Sequence, residues 1–75
     1  MLKKSVIIAN RHHTSISLEE EFYKELVRIA DEQGQSINQL ITKIDAQRKV
    51  ENLSSAIRIY ILRYIKAEAT PKKGL

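Results

Sequence analysis

Few side chains in this 75-residue chain are of a type that does covalent or metal chemistry. Cysteine is absent, which removes disulfides and thiolate metal sites. His12 and His13 are adjacent, a poor chelate unless the fold brings further ligands, so no metal and no cofactor is expected. Glu19, Glu20 and Glu21 are consecutive at the start of an apolar-periodic segment, where carboxylates suit the positive end of a helix dipole better than acid/base catalysis. No nucleophile sits beside a credible base, and two glycines cannot make a phosphate-binding loop. No catalytic residue is assigned, and the chain does not read as an enzyme. What remains is hydrogen bonding. In Arg11-His12-His13-Thr14-Ser15-Ile16-Ser17-Leu18, Arg11, His13, Ser15 and Ser17 share one parity of an extended strand, with Ile16 and Leu18 on the other.

A lone amphipathic strand cannot satisfy its own backbone donors and acceptors. The simplest partner for residues 11–18 is the same strand of a second chain. Seventy-five residues bury a modest core, and chains this short usually gain from association. Residues 5–9 are β-prone, so residues 1–10 are expected to form an arm or to extend the strand, with Asn10 as a bend.

Helical spacing then takes over. Ser17-Leu18-Glu19-Glu20 fits a capping box with Ser17 as N-cap, opening a helix over about 19–33. Phe22, Leu26 and Ile29 face its core side, and Gly34 is the natural left-handed terminator. Ser36-Ile37-Asn38-Gln39 is a second capping box, for a helix over about 36–48 with Ile37, Leu40, Ile41 and Ile44 as its stripe. Asn52 caps a third helix to about 67. Leu53, Ala56, Ile57, Tyr60, Ile61 and Tyr64 line one side of it, and Ile59, Leu62 and Ile65 crowd the flanks. Apolar residues cover so much of this helix that it is expected to pack on its own chain and on a partner. The fold class is therefore α+β, mostly α. Residues 68–75 form a basic tail.

Charge is segregated. Residues 1–17 carry three bases and no acid, residues 18–34 six acids and two bases, and residues 35–75 eight bases and three acids, for a net +4. Such a chain can present a basic face to a polyanion. Met1-Leu2-Lys3-Lys4 before Val6-Ile7-Ile8-Ala9 has the outline of a signal peptide, but its apolar run is too short and Arg11-His12-His13 follows where cleavage would fall. No segment approaches a membrane span. A soluble, cytoplasmic protein is expected.

The order of strand, helix, Gly turn and Ser-capped helix resembles the ribbon-helix-helix family of DNA-binding proteins. The resemblance is carried by Thr14-Ser15-Ile16-Ser17-Leu18-Glu19-Glu20-Glu21-Phe22, Leu26, Ile29-Ala30 and Gly34-Gln35-Ser36-Ile37-Asn38-Gln39-Leu40-Ile41. Asn52-Leu53-Ser54-Ser55-Ala56-Ile57-Arg58 is similar to the extension of a bacterial subgroup. Glu19 stands where many relatives have proline, and the simplest members lack the third helix.

The resemblance implies an intertwined homodimer. Two strands would form an antiparallel ribbon in the major groove, over a shared core of Ile16, Leu18, Phe22, Leu26, Ile37, Leu40, Ile41, Ile44, Leu53, Ile57, Tyr60, Ile61 and Tyr64. Arg11, His13, Ser15 and Ser17 would contact bases. Gln35, Ser36 and Ile37 would clamp a phosphate at the second helix's N-terminus, helped by Lys3, Lys4, Arg48 and Lys49. The implied function is sequence-specific DNA binding in transcriptional regulation. Three alternatives stay open: a protein-interaction module, the antitoxin of a toxin–antitoxin pair, or a structural dimer without DNA binding. Whether dimers pair into tetramers on DNA, and whether the third helix takes a protein partner, also stays open.

Overall fold

The computed structural model of the chain describes residues 1–9 and 11–69. The bend expected at Asn10 and the tail over residues 70–75 lie outside the described residues. Two strands, β1 (Leu2–Ile8) and β2 (His12–Leu18), precede three helices, α1 (Glu20–Glu32), α2 (Ile37–Gln47) and α3 (Leu53–Ala69). This is a two-stranded antiparallel sheet on a mostly helical body.

The strand's partner lies within the chain. Leu2 pairs with Leu18, Lys4 with Ile16, Val6 with Thr14 and Ile8 with His12, and the Arg11 N–H closes the turn on the Ile8 carbonyl at 3.1 Å. The second copy expected to supply this pairing is not needed for it. The reason is parity: directly opposed residues share a face, so Leu2, Val6 and Ile8 complete the apolar face begun by Ile16 and Leu18. Residues 5–9, expected as an arm or an extension of the strand, belong to β1, the other half of a hairpin with residues 12–18.

Each helix buries one stripe beneath the sheet. Leu26, Ile29 and Ala30 of α1, Leu40, Ile41 and Ile44 of α2, and Ala56, Ile57 and Ile61 of α3 join Val6, Ile16 and Leu18 in one core. Phe22, Ile37, Leu53, Tyr60 and Tyr64 pack half-buried at its margin. The residues assigned to an interlocked dimer core therefore close a core inside one chain. No buried polar or charged residue interrupts it among the described residues.

Local signals set the helix ends. Gly34 takes φ +67°, and the Gly34 and Gln35 N–H groups turn back onto the Asp31 and Ala30 carbonyls at 3.0 and 2.9 Å, which ends α1. Ser36 and Gln39 exchange both capping-box bonds, at 3.0 and 2.8 Å. Asn52 Oδ1 accepts from the Ser55 N–H at 2.9 Å, starting α3. At α1 the expectation fails. Its N-cap is Glu19, which makes no side-chain cap. Ser17 stays in β2 because α3 engages its backbone: the Ser17 N–H donates to Ser54 Oγ at 3.0 Å and its carbonyl accepts from Arg58 at 3.1 Å.

The far ends of α1 and α3 are tied by charge. Arg28 donates to Glu25, Glu32 and both oxygens of Glu68, and the Tyr64 hydroxyl donates to Glu32 at 2.9 Å. Arg28's bonds hold the Glu68 carboxyl below its ordinary value, and the bond to Glu32 raises the Tyr64 phenol. Among the described residues, no helix is long and apolar enough to cross a membrane.

Candidate nucleic-acid interface

One face of the hairpin packs on the helices, and the other carries Lys3, Ser5 and Ile7 opposite Ser17, Ser15 and His13. Of these, Lys3, Ser5, His13 and Ser15 are exposed and Ile7 and Ser17 are half-buried. Arg11 is exposed at the hairpin turn. None of the four polar side chains assigned to the strand has a core role, and strand alternation aims three of them together. Sequence reasoning missed the β1 half of this face. The signal was available: Lys3, Ser5 and Ile7 alternate with Leu2, Lys4, Val6 and Ile8 at the two-residue period of a strand.

The two N-terminal lysines diverge. Lys3 stands on the outer face beside Ser17. Lys4 lies on the inner parity at the rim, its ammonium 5.2 Å from the centre of the Tyr23 ring, a cation–π distance. There it shares a recess with Ser5, Tyr23, Ser36, Ile37 and Asn38. This brings a lysine beside the N-terminus of α2, where unpaired N–H groups and the helix dipole favour an anion.

Of the three backbone donors assigned to that end, two are engaged. The Gln35 N–H is bonded to Ala30 and the Ser36 N–H to Gln39 Oε1. The first-turn N–H groups of Ile37 and Asn38 remain outside the helical ladder. The Asn38 side chain is turned to the sheet, where its Oδ1 accepts the Ile7 N–H at 3.3 Å. Thr42 Oγ1 accepts the Ala9 N–H at 3.0 Å one turn on. These bonds hold the α2 N-terminus along the β1 edge, beside the outer face.

Arg48 and Lys49 are not brought to this region. They follow α2 at its opposite end, and Arg48 is folded back on its own loop, pairing with Asp45 at 2.9 Å and donating to the carbonyls of Val50 and Glu51. His12, on the inner parity opposite Ile8, is exposed at the end of the hairpin. No group of three or more histidine or acidic side chains could hold a metal among the described residues. A second concavity, between the α2 C-terminus and α3, has an apolar floor of Ile44, Ala56, Ile59 and Tyr60. The outer side of α3 leaves Ile59 38% and Leu62 54% exposed.

No curated protein matches this sequence, and no solved structure matches it. A family model described as a ribbon-helix-helix domain matches residues 1–65, which takes in both strands, the capped α2 and most of α3. Domains of this family are, in general, non-enzymatic DNA-binding or regulatory modules. The two-stranded antiparallel sheet followed by helices is consistent with a ribbon-helix-helix domain extended by a C-terminal helix, and the chain belongs to that family.

Proposed function

We propose that this protein is a dimeric, sequence-specific DNA-binding regulator of a bacterial cytoplasm, which reads the major groove with the outer face of its sheet. The observation that carries this reading is the outward array of exposed His13 and Ser15 with half-buried Ser17 on one face of β2, flanked by Arg11 and Lys3. Arg11 suits guanine or a phosphate, while histidine and serine read base edges with softer preference.

A second copy has one accessible edge to add to. Asn38 and Thr42 engage the outer edge of β1, and a strand laid there would displace α2. Antiparallel addition at β2 gives the strand order β1-β2-β2-β1. The two central strands, spaced about 4.8 Å apart, form the ribbon that a groove about 12 Å wide admits. The β1 strands then flank it, with Lys3 and the α2 N-terminus toward the phosphates. In this arrangement Lys3, Lys4 and the Ile37 and Asn38 N–H groups position the protein without reading sequence.

Selection of bound duplexes from random DNA tests the proposal. An enriched inverted or tandem repeat supports it; no enrichment at any salt concentration refutes sequence-specific binding. The exposed Ile59 and Leu62 of α3 favour one addition to this reading, a protein-contact surface on that helix.

A further inference from the structure

The ribbon's second copy has a register, and backbone bookkeeping identifies it. In β2, the N–H and C=O of Ser17 point away from β1, toward Ser54 and Arg58. Strand geometry makes the backbone groups of His13 and Ser15 point the same way, while those of His12, Thr14, Ile16 and Leu18 face β1. The Arg11 N–H is spent on the hairpin turn. Among the described residues, the open part of the β2 edge is therefore the N–H and C=O of His13 and of Ser15.

We propose that a second copy pairs at this edge with His13 opposite Ser15 of the other chain, placing the two-fold axis at Thr14. This deepens the dimeric reading above and rests on it. An antiparallel pair exchanges both N–H···O bonds between directly opposed residues at every second position. With His13 opposite Ser15, all four open groups of each chain are used, giving four hydrogen bonds across the axis and leaving none of them orphaned. An axis at Ser15 would set His13 opposite Ser17, whose donor and acceptor α3 already holds. An axis at His13 would set Ser15 opposite Arg11, whose donor the turn already holds. Both alternatives keep the same faces, because register changes in steps of two; only the α3 bonds and the turn distinguish them. Thr14 is exposed in the single chain. On the axis it would face its own copy as a non-hydrogen-bonded pair, where two threonines can bond to each other.

Ser54 and Arg58 thus act as a stop that measures the ribbon. α3 sets how far the two copies overlap, and so the spacing of their outer side chains along DNA.

The chain has no cysteine, so single replacements report the register directly. Each register places one residue opposite itself. At a non-hydrogen-bonded pair the Cα atoms lie about 4.5 Å apart, within the range a disulfide spans. Under mild oxidation the T14C chain is expected to shift to a dimer band, with S15C and H13C staying as monomers. Removing the stop in S54A/R58A should move cross-linking toward S15C; continued cross-linking through T14C alone would overturn the role given to α3. Sedimentation of the unmodified chain separates the two levels. A dimer that cross-links through S15C or H13C overturns the register and spares the dimer, whereas a monomer at high concentration overturns both.

Discussion

The guanidinium of Arg58 donates to the Ser17 carbonyl at 3.1 Å and to the Glu19 carboxylate at 2.9 Å. One side chain on α3 therefore holds both the end of β2 and the N-cap residue of α1. With its side chain 29% exposed, the pair is worth less than a buried one. R58A is expected to cost about 1 kcal/mol, or about 4–8 °C in Tm for a domain of this size. R58K should recover part of it, since an ammonium cannot span both acceptors as the planar fork does. Thermal melts of the three chains decide; an unchanged R58A would show the contact to be idle.

Acid should loosen the same junction. The Arg58 bond lowers the Glu19 carboxyl below its ordinary 4.5, and Arg28 lowers that of Glu68. A depressed carboxyl contributes stability above the unfolded value, which is lost as pH falls through the folded value. Stability should therefore decline from about pH 4.5 downward. The E19Q/E68Q chain, less stable at neutral pH, should lose less over that interval. Denaturant midpoints across pH 2.5 to 7 measure this, and parallel curves would contradict it.

The core makes the largest single demand. Ile57 is fully buried where α3 meets the other elements. I57A should cost about 2–5 kcal/mol, enough to unfold much of a small domain at ambient temperature. I59A, on the exposed side of α3, should change stability by under about 0.5 kcal/mol. Equal effects of the two would place α3 differently from its position here.

Backbone form and capping at the α1–α2 turn separate in two variants. Gly34 sits at φ +67°, and an added Cβ there meets nothing within 4 Å, so G34A should cost about 1–2 kcal/mol through the left-handed backbone alone. S36A should cost about 1 kcal/mol by removing the cap, and should also weaken DNA binding if an anion sits at that helix end. G34A, corrected for its folded fraction, should bind as the unmodified chain does. Equal loss of affinity in both variants would assign the effect to folding.

On the ribbon, H13A and S15A should weaken binding to a selected duplex and relax its sequence preference while leaving the oligomer intact. K3A should weaken binding to all sequences alike and reduce the salt slope by about 1. A K3A chain that changed sequence preference would move Lys3 from the phosphates to the bases.

How much of this was legible in the sequence depends on the kind of signal. Gly34, the Ser36–Gln39 pair and Asn52 act within four residues, and each marks a helix end in the fold. The apolar stripes of the helices were equally plain from periodicity. Two features were not. Val6 and Ile8 alternate as a strand would, but that their partners are Thr14 and His12 of the same chain is a pairing no local spacing marks. Ser17 resembles an N-cap in every local respect, yet Ser54 and Arg58, 37 and 41 residues away, hold it extended. The site shows the same division: the alternation of His13, Ser15 and Ser17 could be read, whereas the place of Lys4 beside Tyr23 and the α2 N-terminus and the engagement of the Gln35 and Ser36 donors needed the third dimension.

The claim that the outer sheet face and the α2 N-terminus form one DNA-binding surface is tested most directly by amide NMR shifts during titration with a mixed-sequence duplex. It does not require the natural target, because non-specific binding uses the same basic surface. The shifts should concentrate at Lys3, Ser5, Ile7, His13, Ser15, Ile37 and Asn38 and fade as salt is raised. Shifts confined to Ile59, Leu62 and Arg63 of α3, or none at low salt, would contradict the account.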